Sequence, residues 1–161
     1  MQATQVASAE GHRFSVELLR HERGARVERH AHGRPYLHLV VAGDYEESLW
    51  GETVRAGSGR CVFKPAGMEH SNRFGTGSTA LRIAWSEDLA AGTRFGLVLQ
   101  PAVDVADLAR DLVTELRDGG DDWTPLQVEA LCSELLVTRS RARSATSTAG
   151  CSTSPKRVPA A

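Results

Sequence analysis

From Phe14 to Trp85 the chain runs in short stretches that alternate apolar and polar residues. Phe14–Leu19, Tyr36–Val41, Tyr45–Leu49, Cys61–Lys64 and Ala80–Trp85 lean towards strand. Glycine-containing turns separate them, at Gly24, Gly33, Gly43, Gly51, Gly57, Gly59, Gly67, Gly75 and Gly77. No segment in this region keeps a 3.6-residue period long enough to compete as helix. Many short strands at regular spacing predict a barrel or sandwich.

The pattern changes at Pro101. Val105, Leu108, Leu112, Val113 and Leu116 recur at helical spacing, with Asp104 and Asp107 near the start and Gly119-Gly120 as the stop. Thr124-Pro125-Leu126-Gln127 then forms a capping box with proline at the first helical position. Val128, Leu131, Cys132, Leu135 and Leu136 follow as an amphipathic stripe. Each predicted helix has one apolar face to bury, against the barrel or against the same pair in a second copy. From about Ser144 the chain is Ser, Thr, Ala, Gly and Pro with few apolar residues, which cannot offset its ordering entropy. The expected organisation is a flexible lead-in over 1–9, a β-barrel over 10–97, a two-helix segment over 98–141 and a disordered tail over 142–161.

Charge narrows the function classes. The net charge is −1, from 19 basic and 20 acidic residues. Five of the basic residues, Arg139, Arg141, Arg143, Lys156 and Arg157, lie beyond residue 138, where there is no acid. The body is therefore acidic and would repel a phosphate backbone, so no nucleic-acid-binding surface is expected there. Cys61, Cys132 and Cys151 form no CxxC pair, which argues against a zinc-thiolate site and fits a reducing compartment. No signal peptide and no membrane span are apparent, so a cytoplasmic location is expected.

The candidate chemistry lies in histidines. His30 and His32, two apart on an extended segment, project from the same face and offer half of a metal site. Pro65 and Gly67 make a tight turn before His70, and a hairpin there brings His70 opposite the pair. His38 lies two beyond Tyr36 on the same strand face, as a further ligand or as a cavity-lining group. Without a metal, the same imidazoles would hydrogen-bond an organic ligand. Glu46 and Glu47 are expected to face solvent; Arg73 and Arg82, on neighbouring strands, are expected on the barrel exterior, with pairing to a ligand carboxylate as the alternative.

Gly24-x5-His30-x-His32-x3-Tyr36-x6-Gly43 and Gly59-x5-Pro65-x-Gly67-x2-His70 resemble the two motifs of the cupin superfamily over residues 10–97. The resemblance implies a mainly-β fold, a double-stranded β-helix or jelly-roll barrel, here followed by two α-helices. It puts His30, His32 and His70 on the three metal-ligand histidine positions, for Fe, Ni or Zn. Tyr36 replaces the glutamate of the first motif, and Phe74 the asparagine of the second. The runs His30–Glu47 and Phe63–Phe74, with residues 105–138, also resemble the amino-terminal sensor domain of AraC-type transcription regulators. That implies a small organic ligand held near Tyr36, His38, His30, His32 and His70, and a homodimer formed through the C-terminal helices. No residue of a helix-turn-helix is present, so no sequence-specific DNA contact is expected. On this reading the chain is a sensor and not an enzyme. The alternative is a stand-alone metal-dependent cupin enzyme, a dioxygenase or isomerase, using His30, His32 and His70.

Overall fold

The computed structural model describes residues 3–49, 51–86, 100–101, 106–118 and 125–134. Its described strands are β1 (Thr4–Glu10), β2 (Phe14–His21), β3 (Arg26–His30), β4 (Tyr36–Leu49), β5 (Glu52–Gly57), β6 (Arg60–Lys64), β7 (His70–Arg73), β8 (Ser78–Trp85) and β9 (Gln100–Pro101). They form a curled, cupin-like sheet in two halves. One half runs β1-β2-β8-β4-β6-β9; in the other, β7 pairs with β3 and β4, and β5 pairs with β4. A helix over Ala106–Asp118 and a second over 125–134 follow. Among the described residues no helix is long and apolar enough to cross a membrane.

β4 belongs to both halves. Tyr36–Leu39 pair with β6, while Asp44–Leu49 pair with β5. The two strands expected at Tyr36–Val41 and Tyr45–Leu49 are thus one strand that changes sheet where its register to β8 shifts, between Val40 and Ala42. Gly43 makes the bend possible. Its φ is +81°, and a Cβ there would lie 2.0 Å from the Gly77 carbonyl oxygen.

Alternation then assigns two faces to the first half-sheet. Val16, Leu18, Leu37, Leu39, Phe63, Leu81, Ile83 and Trp85 point outward and pack with Ala109, Leu112 and Leu116 of the first helix and Val128 and Cys132 of the second. The helices therefore cover this chain's own sheet with their apolar stripes. Glu17, His21, Tyr36, His38, Lys64 and Arg82 have the opposite parity and line the interior.

One expected boundary differs. Thr4–Glu10, read as part of a flexible lead-in, forms β1 along the edge of β2. Apart from the exposed Val6 its side chains are small or polar, and only Ala7 and Ala9 lean on the core, so backbone pairing carries this strand and the hydrophobic pattern gives little sign of it. Leu135, Leu136 and the expected tail lie outside the described residues.

Candidate metal centre

The register of β3 on β7 sets His30 directly opposite His70. His32 follows two residues after the end of β3. The three imidazoles each offer a nitrogen, all within 4.8 Å of one another. His30 Nε2 and His32 Nε2 are 3.1 Å apart. Two ligands at ~2.1 Å from one ion and roughly at right angles are separated by about 3 Å, so this pair is spaced as adjacent ligands.

Backbone carbonyls set two of the tautomers. His30 Nδ1 donates to the Glu28 carbonyl oxygen at 2.8 Å, and His70 Nδ1 donates to the Met68 carbonyl oxygen at 3.0 Å. A carbonyl only accepts, so in the neutral ring each Nε2 is left with its lone pair directed at the cluster. Burial, with the Lys64 charge next in weight, holds His70 down to about 3. Burial followed by the Arg82 charge holds His32 down to about 4. Both are neutral near pH 7, as ligation requires. The donor set fits a divalent transition metal such as Fe, Ni or Zn.

A second layer surrounds the cluster. Tyr36 Oη donates to His70 Nε2 at 2.8 Å. Glu47, expected at the surface, is fully buried. Its Oε1 accepts from Lys64 Nζ at 2.6 Å and from Asn72 Nδ2 at 3.0 Å, and lies 3.9 Å from His70 Nε2. The bend at Gly43 explains this: Tyr36 and Lys64 are cross-strand partners in one half-sheet, Glu47 and Asn72 in the other. The Lys64–Glu47 pair therefore bridges the interior. Burial lowers the Lys64 pKa against the pull of Glu47, which raises it.

The cluster opens on a cavity of about 690 Å³. Arg82, expected on the exterior, lines it and donates through Nε and Nη2 to Glu17 Oε2. The physical reason is that the apolar neighbours Leu81 and Ile83 face the helices, so Arg82 faces inward. Arg73 is exposed, as expected. His38 lines the same cavity, its ring against Tyr45 and its Nε2 buried with no hydrogen-bond partner, but it is not part of the three-histidine cluster. His21, which the sequence did not single out, also lines the cavity, and its Nδ1 is likewise unpartnered. Lys64, Glu17 and His21 share one signal along the chain: each sits at inward parity on its strand.

The expectation that this chain is not an enzyme is corrected here. Three converging imidazoles, two with lone pairs preset by backbone carbonyls, beside a cavity able to admit a small molecule, make a site that can coordinate a metal and argue for catalytic chemistry.

No protein-family model and no curated protein matches the chain. Solved structures resemble part of it. A cupin superfamily protein from Desulfitobacterium hafniense is 18% identical, over 52% of this chain and 77% of that one, with a TM-score of 0.48. KdgF from a Halomonas species is 24% identical, over 55% and 83%, at 0.47. A conserved protein of unknown function from Streptococcus pyogenes is 18% identical, over 53% and 75%, at 0.48. The cupin-like fold rests on the strand order and register described above.

Proposed function

We propose that this chain is a metal-dependent cupin enzyme, of the dioxygenase or isomerase class, acting on a small organic molecule. The observation that carries the reading is the convergence of His30, His32 and His70 with inward lone pairs on His30 and His70. In this reading the three histidines hold Fe, Ni or Zn. The metal would supply Lewis acidity, polarising an oxygen of the bound substrate. Tyr36 and His38 contact the substrate from the wall of the cavity. His38 Nε2, buried and unpartnered, is available for a substrate hydroxyl or carboxylate. The Glu17–Arg82 pair supplies charge on the same wall.

The test is metal content of untagged protein beside a His30→Ala/His70→Ala variant. About one equivalent of Fe, Ni or Zn in the parent and none in the variant is expected. An equal, substoichiometric content in both would remove the enzyme reading.

A second reading, a ligand-sensing domain of the AraC type that dimerises, is favoured by one feature. The strands that line the cavity with Glu17 and Arg82 touch the helices with Val16, Leu18, Leu81 and Ile83. Ligand contacts and helix packing therefore share β2 and β8. A dimer would use helix surfaces other than the stripes already buried, such as the exposed Leu126.

A further inference from the structure

We infer that the cavity takes a small organic acid, whose carboxylate lies on the free edge of the Arg82 guanidinium beside His38. The inference rests on the cavity being the substrate site proposed above, and it names the class of molecule bound there.

Strand register builds the site. Arg82 of β8 pairs with Glu17 of β2 on one side and with His38 of β4 on the other, and all three line the cavity. They form one cross-strand row, in which neighbours stand about 5 Å apart, within reach of a single bound group. Arg82 meets Glu17 through Nε and Nη2, and both contacts end on the same oxygen, Oε2. Glu17 thus engages one edge of the planar guanidinium. Five N–H donors in a fixed fork let a guanidinium hold a carboxylate on a second edge as well. Among the described residues Arg82 has no other hydrogen-bond partner, so Nη1 and the second hydrogen of Nη2 are left for a ligand. The group is also reachable. Its side chain is 28% exposed, and it lines both the cavity of about 690 Å³ and a second one of about 550 Å³. His38 ends the row, buried, with Nε2 unpartnered, and an oxygen of the acid would supply the hydrogen bond that it lacks.

Charge selects an anion. On the inner wall Glu17 is matched by Arg82, and Glu47 by Lys64. Burial first, and neighbouring cations after it, keep His21 and His38 neutral. At the rim the exposed Arg26 and Arg29 outnumber Glu28. Imidazole ligands carry no charge, so a dication held by His30, His32 and His70 has no unmatched protein anion to face it. A carboxylic acid supplies that charge, whereas an alcohol, an amine or an amide does not. The Glu17 charge beside the free edge of Arg82 disfavours a dianion such as phosphate there. Along β4 the row lies two residues from Tyr36, about 7 Å, so a short acid spans from Arg82 to the level of Tyr36 and its partner His70.

The full chain, both metal-free and loaded with Zn, is titrated calorimetrically with acetate, lactate, succinate and glutarate and with the corresponding amides. One or more of the acids should bind and their amides should not, and the Zn form should bind the acids more tightly. Glu17→Gln/Arg82→Gln removes both charges together and strands neither; it should weaken acid binding roughly tenfold or more. Glu17→Gln alone frees the second edge of Arg82 and should tighten binding severalfold. A merely structural role for the pair would weaken binding in both variants. Equal binding of acids and amides, binding of no acid by either form, or acid binding unchanged in the double variant would overturn the inference. If the chain takes up no Zn, the metal reading falls, and the metal-free titrations still decide whether Arg82 holds a carboxylate. Should the double variant not fold, the direction of the Glu17→Gln change decides the matter.

Discussion

Glu47 and Lys64 are the residues on which the interior most depends electrostatically. Both side chains are almost wholly shielded from water, and 2.6 Å separates their charged atoms. A buried pair of this kind contributes little net stability against an apolar replacement, but breaking it strands one charge. Glu47→Leu should therefore destabilise the protein by about 3–5 kcal/mol, because Lys64 loses its counter-ion. Glu47→Leu combined with Lys64→Met should recover most of that loss. Urea unfolding of the two variants measures it, and equal losses in both would refute a coupled pair. The same residues show what the sequence hides. His30, His32 and His70 are legible because spacing and a tight turn suffice to bring them together. Glu47 is not legible, since its burial depends on β4 bending between sheets. Arg82 misleads for a related reason: alternation with Leu81 and Ile83 is plain, but the apolar face goes to the helices and the polar face goes inside.

At the scale of elements, the bend in β4 does the positioning. It brings Tyr36 and Glu47, eleven residues apart on one strand, to the same imidazole, with Tyr36 Oη 2.8 Å and Glu47 Oε1 3.9 Å from His70 Nε2. Gly43 and Gly51 separate two effects of glycine. Both have positive φ, +81° and +85°. A Cβ on Gly51 meets nothing within 4 Å, whereas on Gly43 it meets the Gly77 backbone. Gly51→Ala should cost about 1 kcal/mol, the strain of a left-handed alanine alone. Gly43→Ala must also displace backbone, and a loss of roughly 3 kcal/mol or more is expected. Thermal or urea unfolding of the pair checks this; similar small losses would mean that the bend can relax. The sequence marks Gly43 as a turn and so divides β4 in two, because a glycine between apolar runs looks alike in a hairpin and in a bulge. The two helices are legible from periodicity, and what they cover is settled only by knowing which face of the sheet is apolar.

For the whole molecule, the decisive quantity is how far the cavity and the helices are coupled. Metal that binds the folded chain alone stabilises it by mass action, by about 2.7 kcal/mol when free metal is a hundredfold above Kd. For a domain of this size that raises Tm by roughly 5–10 °C. The shift should vanish in His30→Ala/His70→Ala. Leu112, fully buried between the first helix and the sheet, allows the coupling to be read. Leu112→Ala leaves a cavity under that helix and should cost about 3 kcal/mol. If the helices only cover the sheet, metal affinity in Leu112→Ala stays within about twofold of the parent, since no contact to the histidines changes. If cavity occupancy and helix packing are alternative states of one switch, linkage is reciprocal and loosening the helices must shift affinity as well. The enzyme reading expects the first result, because it needs a rigid centre whose ligands are held by strand register and backbone carbonyls. Isothermal titration with Zn or Ni on both proteins measures the difference. A tenfold change in Kd would turn the shared strands β2 and β8 from a scaffold into a transmission element and favour the sensor.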